Sequence, residues 1–156
     1  MKLHKIEVAR RQIDTAITLF LNGGEPCSII TLAAASEEGL GNYVDGKWIP
    51  ENSNNMFNRM FEAAKSRGLH FKNKAEFSHN LVNITKHALK HANRSDEQYV
   101  SVDEEETVVR LLHALVNYQL GSGQPFTETM NQFEAWLRSE RPEYLTAGDS
   151  PDAAAT

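Results

Sequence analysis

Residues 75–96, AEFSHNLVNITKHALKHANRSD, concentrate the unusual chemistry of this chain around one helical stripe. The apolar residues of the stripe are spaced i, i+4, i+7 and i+11: Phe77, Leu81, Ile84 and Ala88. On a helix that turns by about 100° per residue they share one narrow sector, which predicts a helix with one face in a core. Histidine and basic residues surround that sector: His79, Lys86, His87, Lys90, His91 and Arg94.

Helical spacing continues on the amino-terminal side of this stretch. Apolar positions from His4 to Leu21 predict a first helix, which Asn22 and the two glycines after it end. Pro26 suits the first position of a second helix, because a helix start does not need the amide hydrogen that proline lacks. Residues 45–50, DGKWIP, are interpreted as a turn in which Trp48 is an apolar plug.

Three more helical segments complete the pattern. One runs from about residue 52 to Gly68, and another begins at a capping box formed by Ser101 and Glu104. Thr127 is a suitable cap for a short last helix. Six helical segments without alternating strands predict an all-α, single-domain helical bundle of five to six helices over residues 1–145, followed by a flexible tail over 146–156.

Composition limits the classes of protein to which the chain can belong. Of its 156 residues 40% are hydrophobic and 24% are charged, and no apolar run approaches the roughly 18 residues of a membrane span. The amino terminus lacks the apolar core of a secretory signal, and Cys27 is the only cysteine. We therefore expect a cytoplasmic protein with no membrane partner.

Charge is unevenly distributed along the chain. The net charge is −5, which argues against general coating of nucleic acid. Between Arg67 and Arg94, however, six basic residues accompany one acid, Glu76. We call residues 67–94 the basic segment. It predicts a local basic face within an acidic protein.

The histidines of the basic segment permit two chemical interpretations. His87 and His91 are spaced i, i+4 and could share a metal ion, but Ala88 stands where zinc proteases carry glutamate, and a third ligand (Glu37, Glu38 or His113) has no support. We predict neither a metal nor a cofactor. Alternatively, Lys86, His87 and His91 could act on a phosphate, with histidine moving protons and lysine stabilising charge.

Geometry and simpler alternatives weigh against that second interpretation. Lys86 and His91 differ by about 140° on a regular helix, so a break in the helix or a partner subunit would have to bring them together. A solvated basic helix end explains the same residues. For Glu37 the alternative is an ion pair with a lysine or arginine of a neighbouring helix.

Two stretches resemble a known family. The second helix, SIITLAAASEEGLGNYV, resembles the A-x-T-L-A-x-A-x-E-E-x-L helix of HEPN-type proteins, and KHALKHANRSD resembles their R-polar-x-x-x-H signature. The latter is also similar to the RNxxKHADRD stretch of small bacterial proteins that share an ARRQ-D-AI-LF first helix, here Ala9 to Phe20. HEPN domains are small all-α proteins of prokaryotic toxin–antitoxin, phage-defence and stress systems. The similarity covers about residues 4–140.

The resemblance implies a set of site residues and partners. Catalytic members are metal-independent endoribonucleases that act as dimers, with His91 as the general base or acid and His87 in the polar role. Lys86 stands in place of the family's arginine, and a lysine cannot grip two phosphate oxygens with a planar fork. Other relatives bind a nucleotide, RNA or a protein without chemistry. We therefore expect a homodimeric module for RNA, a nucleotide or an antitoxin-like partner, with candidate binding residues Asn83, Lys90, Arg94 and Glu37. Two alternatives stay open: a metal-independent endoribonuclease that uses His91 and Lys86, and a non-catalytic homodimeric structural or interaction protein.

Overall fold

The computed structural model describes residues 1–49 and 102–144, together with Phe61, Glu62, Lys65 and Asn73. Its described elements are mostly helical, as the all-α prediction requires: α1 (Lys5–Leu21), α2 (Pro26–Leu40), β1 (Tyr43–Val44), β2 (Lys47–Trp48), α3 (Glu104–Ser122) and α4 (Glu128–Glu140), followed by a 3-10 turn (Pro142–Tyr144). Phe61, Glu62 and Lys65 are also helical.

The first two helices begin where the sequence predicts. His4 caps α1, since its Nδ1 accepts the Ile6 N–H at 3.2 Å. Glu25 caps α2 by accepting the N–H groups of Cys27 and Ser28 at 2.9 and 2.7 Å. These bonds satisfy donors that a helix start leaves without partners.

The start of α3 differs from the predicted capping box. Asp103 is the N-cap, and its carboxylate accepts the Glu106 N–H at 2.8 Å. Aspartate is as good a cap as serine and lies directly before the first helical residue, Glu104. The capping box of Ser101 and Glu104 was therefore a wrong prediction.

Residues 43–48 form a small antiparallel hairpin in place of the predicted simple turn. Tyr43 pairs with Trp48 around a two-residue turn in which Asp45 and Gly46 both have positive φ, 49° and 76°. Asp-Gly is the typical sequence of this turn. The plug prediction for Trp48 was also wrong, because its side chain is 58% exposed.

The hairpin turn caps the carboxyl end of α3. The N–H groups of Asp45 and Gly46 donate to the carbonyls of Leu120 and Gly121 at 3.0 and 2.9 Å. A Cβ on Gly123, which has a φ of 63°, would lie 3.1 Å from the Asp45 Cα. Glycine therefore permits both the left-handed helix end and the close approach of the turn.

The core lies where α1, α2, α3 and α4 pack together. Thr127 caps α4 as predicted, accepting the Met130 N–H at 3.2 Å, and its hydroxyl donates to Asp14 of α1 at 2.5 Å. Phe20, Phe133 and Trp136 form an aromatic cluster between α1 and α4. The largest fully buried side chains are Tyr118, Phe133, Ile13, Ile17, Ile29, Ile30, Leu40, Leu111, Met130, Leu137 and Val108.

Some of the predicted architecture lies outside the described residues. The helix over 75–93, most of the helix over 52–68 and the tail over 146–156 are among these parts. The count of five to six helices, their arrangement as a bundle and the domain division therefore remain predictions. No helix within 1–49 or 102–144 has the length and hydropathy that crossing a bilayer requires.

Candidate functional site

Of the predicted site residues, only Glu37 lies within the described part of the chain. The catalytic candidates Lys86, His87 and His91 and the binding candidates Asn83, Lys90 and Arg94 lie outside it. Their roles and mutual geometry therefore remain predictions.

Glu37 forms a buried ion pair between α2 and α3. The Arg110 Nη1 lies 3.4 Å from both carboxylate oxygens of Glu37, and the two side chains are only 5% and 7% exposed. An ion pair with a neighbouring helix is the alternative that the sequence offered for this residue. In so dry a position the Arg110 charge depends on a neighbouring carboxylate, because burying it alone would cost several kcal/mol.

Arg110 begins a row of buried polar groups along α3. Arg110, His113 and Asn117 are spaced i, i+3 and i+7, which places them on neighbouring parts of one helix face. In the part of the chain that the structure describes, the Arg110 Nε, His113 Nδ1 and Asn117 Oδ1 are buried without hydrogen-bond partners. These three atoms expose almost no surface to water and face packed protein, although His113 as a whole is only half-buried.

The row was missed at the sequence level. His113 was considered only as a distant metal ligand, and Arg110 and Asn117 were not singled out at all. The available signal was their helical spacing together with a carboxylate, Glu37, on another apolar helix face. Periodicity alone does not show that residues 37 and 110 meet.

Burial shifts the pKa values of His113 in this row and of Glu106 one turn before Arg110. Desolvation, followed by repulsion from Arg110, lowers the His113 pKa from 6.5 to about 4. Desolvation also raises the pKa of Glu106, with a further increase from Asp103, while Arg110 opposes the change. His113 is therefore a neutral residue at pH 7 and is poorly suited to donate a proton there.

A pocket of about 200 Å³ lies where the end of α1 meets the starts of α2 and α3. Phe20, Pro26 and Ile29 give it an apolar wall, and Asp103 and Glu104 add carboxylates. Both carboxylates have partners already: Asp103 caps α3, and Glu104 accepts from Arg141 at 3.1 Å. The acidic rim disfavours phosphate at this position.

Neither a metal centre nor an activated thiol is present among the residues that the structure describes. These residues contain no cluster of three histidine, cysteine or acidic side chains that could hold a metal. Cys27 lies at the start of α2, but its hydrogen bond with Glu25 raises the thiol pKa. A raised pKa reduces the thiolate that a nucleophile requires.

The long described ranges and the part of the chain between them have net charges of opposite sign. Residues 1–49 and 102–144 contain eight basic and fourteen acidic residues, whereas residues 50–101 contain eight basic and five acidic ones. The net charge is thus about −6 for the first set and about +3 for the second. The net charge of the first set repels phosphate groups, and the net charge of residues 50–101 attracts them.

Comparison with protein-family models, curated proteins and solved structures finds no match to this chain. The HEPN resemblance thus remains an expectation from its motifs.

Proposed function

We propose that the chain is a non-catalytic binding module whose basic segment holds the phosphate groups of a nucleic acid or a nucleotide. The observation that carries this proposal is the charge segregation: six basic residues and one acid occupy residues 67–94, while the long described ranges are acidic. Lys86, Lys90 and Arg94 are the central contacts. The HEPN resemblance favours RNA as the nucleic acid and a bacterial toxin–antitoxin, defence or stress system as the setting.

Binding is favoured over catalysis by two features of the predicted site. Lys86 replaces the arginine of the family signature. A lysine supplies positive charge, but it lacks the planar guanidinium that forms bidentate hydrogen bonds with a phosphate. On a regular helix Lys86 and His91 also point about 140° apart. A binding site tolerates both features, because it does not require the cation and the histidine to converge on one phosphorus atom.

The proposal is tested by neutralising the three central cations. In the triple variant Lys86→Gln, Lys90→Gln, Arg94→Gln, we expect the affinity for a fluorescein-labelled single-stranded RNA to fall at least tenfold in fluorescence anisotropy. ATP in competition distinguishes a nucleotide site from a polymer site. Unchanged affinity would contradict the proposal.

A matched control separates local contacts from net charge. The variant Lys2→Gln, Arg11→Gln, Arg138→Gln removes the same number of charges from exposed positions on or beside α1 and α4. We expect it to bind RNA nearly as the unmodified protein does. An equal loss in both variants would show that only total charge matters. RNA cleavage that His91→Ala abolishes would instead support the endoribonuclease alternative.

A further inference from the structure

The pocket at the end of α1 is a feature that phosphate binding does not use. It has a volume of about 200 Å³ and lies where α1 ends and α2 and α3 begin. An apolar cavity of about 150 Å³ is enough to hold a benzene molecule. The pocket can therefore accommodate an apolar body of that size together with a short polar arm.

The apolar wall of the pocket is held in place by the core. The Phe20 ring meets the rings of Phe133 and Trp136 edge-on, at 5.5 and 4.8 Å between centroids. Ile29 is almost completely buried, and Pro26 is the first residue of α2. A wall fixed in this way does not have to be ordered by a ligand, so binding loses little conformational freedom.

Two carboxylates supply the charge of the pocket. Asp103 and Glu104 line it, and none of the described residues in its lining is basic. The Asp103 Oδ1 accepts the Glu106 N–H, and the Glu104 Oε1 accepts from Arg141, while the Glu104 side chain stays 64% exposed. Because an ionised carboxylate can accept about four hydrogen bonds, both groups keep acceptor capacity for a further donor.

The helix ends at the pocket favour the same sign of ligand charge. The carboxyl end of α1 carries the negative end of the helix dipole, and its last turn contains no basic residue. The positive end of the α3 dipole also lies here, but the Asp103 cap and three glutamates in the first turn outweigh it. The pocket therefore favours a cation over an anion.

We propose that this pocket binds a small organic cation, a primary amine attached to an apolar body about the size of a benzene ring. The body lies against Phe20 and Ile29, and the ammonium group donates to Asp103 and Glu104. This site is separate from the basic segment and takes a ligand of opposite charge. Neither proposal depends on the other.

Three ligands with the same ring and different charge give a direct test. In isothermal titration calorimetry at low salt we expect phenethylamine to bind with a dissociation constant of about 0.1 to 1 mM, because so small a ligand gains little from burial. Neutral phenethyl alcohol should bind at least about fivefold more weakly, and phenylacetate should not bind measurably. This comparison uses the unmodified protein, so it does not depend on the folding of a variant.

A pair of substitutions identifies the carboxylates. Asp103→Asn keeps a good helix cap, and with Glu104→Gln it removes both charges, so we expect phenethylamine to bind at least about fivefold more weakly. The control Glu134→Gln, Glu140→Gln removes the same charge from α4. Glu134 is also paired with an arginine, Arg138, and neither control residue lines the pocket. The control should bind as the unmodified protein does.

Three results would overturn the amine site. The first is no heat of binding with about 10 mM phenethylamine. The second is equal affinity for phenethylamine and phenylacetate, which would show that the carboxylates do not select the ligand. The third is an equal loss in the pocket variant and the α4 control, which would show that only total charge matters.

Discussion

Arg110 places a full positive charge in a nearly dry position between α2 and α3, with Glu37 as the neutralising carboxylate. The 3.4 Å separations are longer than those of a strong charge-assisted hydrogen bond, so the pair gains less than a well-aligned fork would. Its main effect is on Arg110, because removal of Glu37 leaves the buried guanidinium without its ion-pair carboxylate.

Removing the Glu37 carboxylate alone should destabilise the folded protein more than removing both charges of the pair. We expect Glu37→Leu to lower the free energy of unfolding by about 3 kcal/mol, because Arg110 stays buried. The double variant Glu37→Leu, Arg110→Met should recover most of that loss. Chemical denaturation monitored by circular dichroism measures both values. A double variant no more stable than Glu37→Leu would contradict this account of the pair.

His113 should make stability depend on pH in a particular window. Its pKa is about 4 in the folded protein and about 6.5 when unfolded, so only the unfolded chain takes up the proton between these values. Stability should therefore be full above pH 6.5, fall as the pH drops toward 4, and not change further through this group below that. The loss is at most about 3 kcal/mol, and less because His113 is only half-buried.

Substitution of His113 isolates this effect. In His113→Gln we expect the free energy of unfolding to vary much less between pH 6.5 and 4.5. Glu7, bonded to Arg10 and Arg11, and Glu25, bonded to the N–H groups of Cys27 and Ser28, have pKa values of about 2. Their stabilisation is lost only as the pH falls from 4.5 toward 2. An equally steep decline in His113→Gln above pH 4.5 would assign the effect to other groups.

At the level of elements, the hairpin and the end of α3 stabilise each other. The turn supplies N–H donors to carbonyls that a helix end would otherwise leave unpaired, and α3 fixes a hairpin too short to stand alone. The glycine at the end of α3 lets the two backbones meet. This arrangement determines where Trp48 is presented.

Gly123 and Gly23 have similar backbone conformations, and comparing substitutions at the two positions tests the contact between the hairpin turn and the end of α3. Gly123 has a φ of 63° and the Asp45 backbone 3.1 Å from a Cβ position, whereas Gly23 has a φ of 68° and nothing within 4 Å. We expect Gly23→Ala to cost about 1 kcal/mol for its left-handed conformation, and Gly123→Ala at least about 1 kcal/mol more. Equal losses in denaturant unfolding would show that the turn does not pack closely on α3.

The elements also show what local sequence can predict. Pro26 and Thr127 marked helix starts correctly because caps and first-turn preferences act within four residues. The hairpin was missed because its two-residue strands are too short to show alternation, although Asp45-Gly46 was a usable signal. The pairing of Glu37 with Arg110 crosses 73 positions of sequence, so only the packing of α2 on α3 reveals it.

At the scale of the whole molecule, we propose that an acidic helical protein presents a separate basic segment to phosphate. The sequence predicts this segregation directly, because charge can be counted without a fold. The described helices add that Arg110, a cation outside the segment, is already paired in the interior. The residues proposed to bind phosphate lie between α2 and α3 in the chain, and their contribution must be measured through binding.

The salt dependence of RNA binding tests this proposal. We would measure the affinity for the fluorescein-labelled single-stranded RNA from 50 to 300 mM NaCl and compare the slope of log K against log salt with that of the Lys86→Gln, Lys90→Gln, Arg94→Gln variant. Each phosphate contact contributes about 0.7 to the slope for a single strand, so we predict a variant slope shallower by about 2. Binding that ignores salt, or a slope that the three substitutions leave unchanged, would contradict the claim that these cations hold the phosphates.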